Sequence, residues 1–176
     1  MRRNGTNNFQ TLLERGLEFE RSEAITILHA LYPNFLIMNN QIDPSETTGG
    51  KIIGPRLYRG EDRSEEFIAP DFVMFGPNGE AHWVYAKLKG AAYPHPSNQK
   101  LYFTIDRKKH DQYSTLPKYM RDNFWFLIKN DKTKDTYLAK FQENPMRMYF
   151  DNKFDKGNIP IYFIDDIRKL PFLEDK

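Results

Sequence analysis

The sequence predicts one α/β (α+β) domain, in which a mixed β-sheet is flanked by helices. Three observations support this fold class. The chain has 176 residues, 39% of them hydrophobic and 15% aromatic, which is enough apolar material for one core. An amphipathic helical pattern near the N-terminus precedes several short, apolar, strand-like runs. No repeat or low-complexity segment interrupts the chain, so we expect residues 1–176 to form a single domain.

Residues 9–31 contain the clearest helical pattern. Ala24, Leu28 and Leu31 follow the spacing i, i+4, i+7, which places them on one apolar face. Gly16 is a candidate break between two helices, and Tyr32-Pro33-Asn34 is expected to end the helical region.

Strand signals follow. Residues 72–75 and 83–88 are the clearest strands, and the Asn78-Gly79 pair between them is a strong hairpin signal. We expect a helix over residues 105–120, which Pro117 must end or kink. The remaining predictions are strands at 35–38, 124–128 and 160–164, a strand or extended arm at 51–58, and a charged loop at 61–66.

The composition excludes several kinds of site. There is no cysteine, so disulfides, thiolate zinc sites, iron–sulfur clusters and cysteine nucleophiles are ruled out. The four histidines lack the His-x-x-x-His spacing of an all-imidazole metal site. The N-terminal residues lack the apolar run of a signal peptide, and no segment has the about 20 apolar residues that span a bilayer. These features predict a cytoplasmic protein with no membrane partner.

The net charge of +2 does not by itself indicate a nucleic-acid-binding protein. Three basic clusters, at residues 107–110, 116–121 and 129–135, lie among aromatic residues in the second half of the chain. Such clusters either contact phosphates or form ordinary solvated surface.

The segment most informative about function spans residues 69–90, which read APDFVMFGPNGEAHWVYAKLKG. Because side chains alternate along a strand, Val84, Ala86 and Leu88 share one face, and Trp83, Tyr85, Lys87 and Lys89 share the other. If residues 76–82 form the hairpin loop, Phe75 faces Trp83 and Asp71 faces Lys87. One carboxylate and two lysines would then meet at one end of the hairpin.

This segment resembles the motif of the PD-(D/E)XK nuclease superfamily, which includes restriction endonucleases and several junction resolvases. Its members carry Pro-Asp on one strand and acid-x-Lys on the next. The resemblance implies a restriction-endonuclease-like fold and an Mg²⁺ ion held by the two acids and a main-chain carbonyl. It further implies that the metal activates a water molecule that attacks the phosphodiester, and that the lysine orients this water or stabilises developing charge.

In the frame that we prefer, Asp71 matches the aspartate of Pro-Asp and Lys89 matches the lysine, because acid-x-Lys-Gly is a common form in the family. Leu88 would then supply the metal-binding carbonyl, and Lys87 occupies the acid position. In the other frame, Lys87 is the lysine and Tyr85 occupies the acid position. Neither frame restores the motif, so the resemblance implies a catalytically inactive form that binds Mg²⁺ weakly or not at all. Such a form is an inactivated mutant or a natural degenerate member, and a chance resemblance is the third possibility.

Other residues extend the expected site. Family members often place another acid on the helix before the sheet, and Glu20 lies on the apolar stripe of that helix. The other interpretation is that Glu20 or Glu23 simply favours the helix dipole. Among the acids of residues 61–66, Glu66 is expected to come nearest the site. Lys109, His110 and Gln112 lie on the helix after the motif, where they would contact DNA or face solvent.

The resulting functional hypothesis is an Mg²⁺-dependent DNA endonuclease of restriction-enzyme type, inactive as written. Cutting both strands of duplex DNA would require a homodimer or a partner subunit. The nearest alternatives are a junction resolvase or homing endonuclease of the same superfamily. A non-catalytic DNA-binding protein on the nuclease scaffold and an interaction protein with no nucleic-acid role are the alternatives from other classes.

Overall fold

The computed structural model describes residues 11, 14–40, 56–59, 65–151, 156–164 and 168–169. Twelve strands and three α-helices have both ends within these residues, and residues 14–18 are also α-helical. The helices are α1 (Ala24–Leu31), α2 (Arg107–Ser114) and α3 (Lys118–Arg121). The strands are β1 (Leu36–Asn39), β2 (Arg56–Arg59), β3 (Glu65–Ile68), β4 (Phe72–Phe75), β5 (Ala81–Lys89), β6 (Tyr93–Pro94), β7 (Leu101–Thr104), β8 (Phe124–Asn130), β9 (Thr136–Lys140), β10 (Arg147–Asp151), β11 (Lys156–Phe163) and β12 (Arg168–Lys169).

The predicted N-terminal helical region is present, but it is not a regular α-helix throughout. Residues 14–18 are α-helical and continue through Gly16, so this glycine does not divide the region. A π-helical turn, Phe19–Glu23, then leads into α1, and the amide of Ala24 donates to the carbonyl of Phe19. The helix ends before Tyr32, as the sequence predicts.

A six-stranded mixed sheet with the strand order β1-β4-β5-β8-β9-β12 forms the centre of the fold. Strands β5 and β8 are parallel, and the other neighbouring strands of this sheet are antiparallel. Helices α2 and α3 lie in the connection between β5 and β8. The mixed sheet with flanking helices confirms the predicted α/β class. A four-stranded sheet, β10-β11-β7-β6, and the pair β2-β3 complete the described strands.

The two faces of β5 pack into different hydrophobic clusters, as the alternation of its side chains predicts. Val84 and Ala86 lie in the cluster that includes Phe19 and Leu28 of the N-terminal helical region. Tyr85 lies in the opposite cluster, which is rich in aromatic rings and includes Tyr113 of α2. The central sheet therefore has one helical region on each face, and β5 lies between the two clusters.

The register of the β4–β5 hairpin differs from the prediction. Phe75 pairs with Ala81, not with Trp83, and Phe72 pairs with Val84. The loop is shorter than expected because the amide of Gly76 donates to the carbonyl of Glu80 at 2.8 Å, and Gly79 makes the turn with a φ of 83°. Continuing the register by one residue places Asp71 opposite Tyr85, not opposite Lys87.

Several other boundaries also differ from the predictions. The helix expected over residues 105–120 is two helices, and Pro117 is the N-cap of α3, consistent with the missing amide of proline. Part of the expected charged loop is strand β3, which pairs with β2, while residues 51–55 and 60–64 lie outside the described residues. None of the described helices has the length and apolarity needed to cross a membrane.

Candidate functional site

Asp71 lies immediately before β4 and is held by main-chain hydrogen bonds. Its carbonyl accepts from the amide of Asn40 at 2.8 Å, and its carboxylate Oδ2 accepts from the amide of Ala86 at 2.7 Å. Burial, and secondarily the charge of Glu20, raise the pKa of Asp71 to about 7. The hydrogen bond from Ala86 and the charges of Lys109 and Lys87 act in the opposite direction but do not cancel the shift.

Glu20 approaches Asp71 from the π-helical turn and forms an ion pair with β5. The Nζ atom of Lys87 lies 3.3 Å from Oε1 of Glu20. Two further ion pairs, Glu23 with Lys129 and Arg15 with Asp131, join the same helical region to the end of β8 and to the residue that follows it. These contacts keep Glu20 over the carboxyl-terminal half of β5. A π-helical turn at this position is consistent with a functional site, where such turns are frequent.

Lys109 reaches the same place from α2. Its Nζ donates a hydrogen bond to the hydroxyl of Tyr85 at 2.9 Å and lies 4.5 Å from the centre of the Tyr85 ring. Burial and the nearby charge of Lys87 lower the pKa of Lys109, while Asp71 and Glu20 counteract this shift. Burial also raises the pKa of Tyr85, so its hydroxyl remains protonated. We call Asp71, Glu20, Lys87, Tyr85 and Lys109 the Asp71 cluster.

The main chain of β5 shows which carbonyl faces Asp71. The amide of Trp83 donates to Asn123, and the carbonyl of Lys89 accepts from Asp131, so the polar groups of these odd-numbered residues point toward β8. The carbonyls of Ala86 and Leu88 therefore point toward the β4 side. Ala86 is the residue whose amide contacts Asp71. The carbonyl of Leu88, which the preferred frame assigned to the metal, lies one two-residue repeat, about 6.6 Å, further along the strand.

The Asp71 cluster as written does not fit Mg²⁺. It combines two carboxylates with two lysine side chains, and one of these lysines forms an ion pair with Glu20. The part of the chain that the structure describes contains no group of three or more His, Cys, Asp or Glu side chains placed to hold a metal ion. Magnesium requires oxygen ligands and is repelled by neighbouring ammonium groups. The arrangement offers ion pairing between its own acids and lysines, together with ammonium groups that can donate hydrogen bonds.

The structure thus brings together Asp71, Glu20 and Lys87 of the residues selected for the metal centre, and Lys109 of those selected for DNA contact. Lys89 extends from the same face of β5, two residues beyond Lys87. The side chain of Glu66 lies outside the described residues. The sequence placed Tyr85 on the face of β5 that carries Lys87 and Lys89, but it did not indicate the contact between Tyr85 and Lys109. That contact depends on the docking of α2 over the sheet, which has no sequence signal.

Of the three residues assigned to DNA contact, His110 is not available for it. His110 is 0% exposed, donates through Nε2 to the carbonyl of Gln142 at 3.0 Å and stacks on Phe141. This burial, which lowers the pKa of His110, leaves no surface for a phosphate, so His110 is a packing residue. Gln112 is partly exposed on α2, and its carbonyl accepts from the hydroxyl of Thr115 at 2.7 Å.

The basic clusters of the second half are extensively ion-paired. Their pairs are Arg107 with Asp111, Lys118 with Asp122, Arg121 with Glu143, Lys129 with Glu23, and Lys134 with Asp131. These acids neutralise much of the positive charge that the sequence clusters suggested. A broad basic surface is therefore a weaker candidate for DNA binding than the Asp71 cluster with its neighbouring lysines.

Comparisons with known proteins provide no assignment. No family model matches the chain, no curated protein matches it, and no solved structure matches it.

Proposed function

We propose that this chain is a DNA endonuclease of the PD-(D/E)XK type whose centre lacks one acid, so that the chain as written does not cut DNA with Mg²⁺. The observation that carries the proposal is the convergence of Asp71, Glu20 and Lys87 from three separate elements. These are the acid before a strand, the acid of the preceding helix and the lysine of the next strand in the motif. The order helix, three antiparallel strands, helix and parallel strand also agrees with the expected scaffold.

The hairpin register supports the frame in which Lys87 is the lysine and Tyr85 occupies the acid position. Asp71 lies opposite Tyr85 and accepts from the amide of Ala86, so a carboxylate at position 85 would face Asp71 directly. The residue between the acid and the lysine would then be Ala86, whose carbonyl points to the same edge. In the Lys89 frame, the acid position is Lys87 and the metal-binding carbonyl is that of Leu88, and both lie two residues further along β5 from Asp71.

In this frame the metal site is incomplete because Tyr85 stands at the position where the motif has an acid. A phenol that burial keeps protonated offers no negative charge, and its hydroxyl already accepts from Lys109. Lys87, without an acid at position 85, pairs with Glu20. Restoring a carboxylate at position 85 adds the missing negative charge and gives both lysines a further anionic neighbour.

The test is cleavage of supercoiled plasmid in Mg²⁺ by the unaltered chain, Tyr85→Glu and Lys87→Glu, each checked for folding by circular dichroism. We expect no cutting by the unaltered chain and nicking by Tyr85→Glu. Adding Asp71→Asn to Tyr85→Glu should reduce the nicking rate by a factor on the order of 100. Cutting by Lys87→Glu alone would support the Lys89 frame instead. Failure of both folded variants to cut would refute the nuclease proposal, as would efficient Mg²⁺-dependent cutting by the unaltered chain.

A non-catalytic DNA-binding protein on the same scaffold is the second candidate. The observation that favours it is the pairing of both acids with protein donors, Glu20 with Lys87 and Asp71 with the amide of Ala86. Binding of duplex DNA by folded acid-restored variants that never cut would support this candidate. Absence of binding to linear, branched and single-stranded DNA would instead favour an interaction protein.

Cutting both strands of duplex DNA requires two catalytic centres, and we propose that a second copy of this chain supplies the second centre.

A further inference from the structure

Among the side chains that the structure describes, Lys109 directly contacts a neutral group. Its ammonium contacts the hydroxyl of Tyr85 at 2.9 Å and the ring of the same residue. A half-buried ammonium is costly unless an anion accompanies it. The lowered pKa of Lys109 expresses this cost, and burial is its largest cause. Lys109 therefore has hydrogen-bonding capacity for an anion that comes from outside the cluster.

The orientation of Lys109 is fixed by two contacts. The side chain of Asp106 caps the start of α2 by accepting from the amide of Lys109 at 3.0 Å. The hydroxyl and ring of Tyr85 then hold the ammonium at the other end of the side chain. A lysine that is held at both ends loses little further conformational entropy when it binds a ligand.

Lys87 adds a second positive charge on the same side of the sheet. Its side chain is 40% exposed although it pairs with Glu20, and its charge is the second-largest cause of the lowered pKa of Lys109. The two ammonium groups repel each other, and an anion that contacts both offsets this repulsion. A phosphate oxygen is a suitable partner because lysine binds phosphate as a point charge.

We propose that Lys109 and Lys87 form a subsite for one phosphate group of the DNA backbone, which binds without a metal ion, and that Tyr85 is the positioning residue for Lys109. This inference deepens the proposed function and rests on it for the identity of the ligand. The two ammonium groups supply the donors, and Tyr85 holds one of them in place.

The test measures binding of a fluorescent duplex oligonucleotide by anisotropy in EDTA, at several salt concentrations. We expect Lys109→Met to weaken binding about tenfold and to lower the salt slope by about 1. Lys108→Met is the matched control, because Lys108 is an exposed neighbour on the same helix. It should weaken binding by less than about twofold. Tyr85→Phe retains the ring and both lysine charges, so it should weaken binding about threefold and leave the salt slope unchanged.

A second titration, with inorganic phosphate followed by ³¹P NMR, separates this inference from the proposed function. Saturable phosphate binding that Lys109→Met removes, without any DNA binding, would support the subsite and refute the DNA function. DNA binding that Lys109→Met weakens no more than Lys108→Met would refute the subsite and leave the DNA function standing. Absence of binding to both phosphate and DNA would refute both.

Discussion

Asp71 shows how strongly burial can shift the pKa of an aspartate side chain. Its carboxyl is buried beside Glu20, and its pKa rises from 3.8 to about 7. The folded state therefore holds a proton on Asp71 over a pH range in which the unfolded chain has released it. By linkage, the free energy of unfolding falls as the pH rises from about 4 to about 7. The same buried position allows the carboxylate of Asp71 to accept a hydrogen bond from the amide of Ala86.

The first prediction follows from this sign. Asp71→Asn keeps an oxygen to accept from the amide of Ala86 but removes the ionisation. We expect the variant to lose the decrease in stability between pH 4 and 7, which amounts to at most about 4 kcal/mol, and to be at least as stable as the unaltered chain at pH 8. Urea unfolding at pH 5 and pH 8 measures this. Asp122→Asn is the control, because Asp122 is on the surface and its hydrogen bond with Lys118 lowers its pKa. A variant clearly less stable than the unaltered chain at pH 8 would contradict the account of Asp71.

The second prediction concerns His110. Replacement by Ala removes the stacking on Phe141 and the hydrogen bond from Nε2 to the carbonyl of Gln142, which keeps only the longer hydrogen bond from the hydroxyl of Tyr162 at 3.5 Å. We expect a loss of about 3 kcal/mol in the free energy of unfolding, whereas Gln112→Ala, on a partly exposed position of the same helix, should change it by less than about 0.5 kcal/mol. Denaturant titration of both variants tests this assignment. A His110→Ala variant that is as stable as the unaltered chain but binds DNA more weakly would contradict the packing assignment and would indicate that His110 contacts DNA.

At the scale of single elements, Asp106 is the residue that fixes the start of α2. Its carboxylate accepts from the amide of Lys109 at 3.0 Å, which satisfies one of the free amides of the first turn. The third prediction is that Asp106→Ala lowers the free energy of unfolding by about 1 kcal/mol, while Asp106→Ser, which keeps a capping oxygen, loses less than half of this. Thermal unfolding of the two variants distinguishes them. Equal losses would show that Asp106 does not act as a cap.

The sequence predicted the strongest elements well, because their signals are local. The apolar run of β4, the alternation along β5 and the end of α1 before Tyr32 each depend on a few neighbouring residues. The hairpin register was wrong because residues 76–80 close the loop through hydrogen bonds to Gly76, and loop length is not encoded by the Asn-Gly pair alone. The π-helical turn was missed because periodicity assumes a regular α-helix.

At the scale of the whole molecule, the Asp71 cluster combines residues from the N-terminal helical region, the β4–β5 hairpin and α2. The motif could suggest Asp71 and the lysines because they lie close in sequence. It could not indicate that Lys109, on a helix far along the chain, packs against Tyr85, because that contact depends on how α2 docks on the sheet. The basic clusters were overestimated for the same reason, since their ion pairs include partners distant in sequence, such as Glu23 with Lys129.

The central claim is that position 85 is where the acid of a metal centre is missing, and Mg²⁺ binding tests it most directly. The fourth prediction compares the unaltered chain, Tyr85→Glu, Lys87→Glu and Tyr85→Glu with Asp71→Asn by isothermal titration with Mg²⁺, with circular dichroism as the check on folding. The account predicts saturable binding by Tyr85→Glu that is at least about tenfold tighter than binding by the unaltered chain, and its loss when Asp71→Asn is added. Binding by Lys87→Glu but not by folded Tyr85→Glu, or equal binding by the unaltered chain, would contradict it.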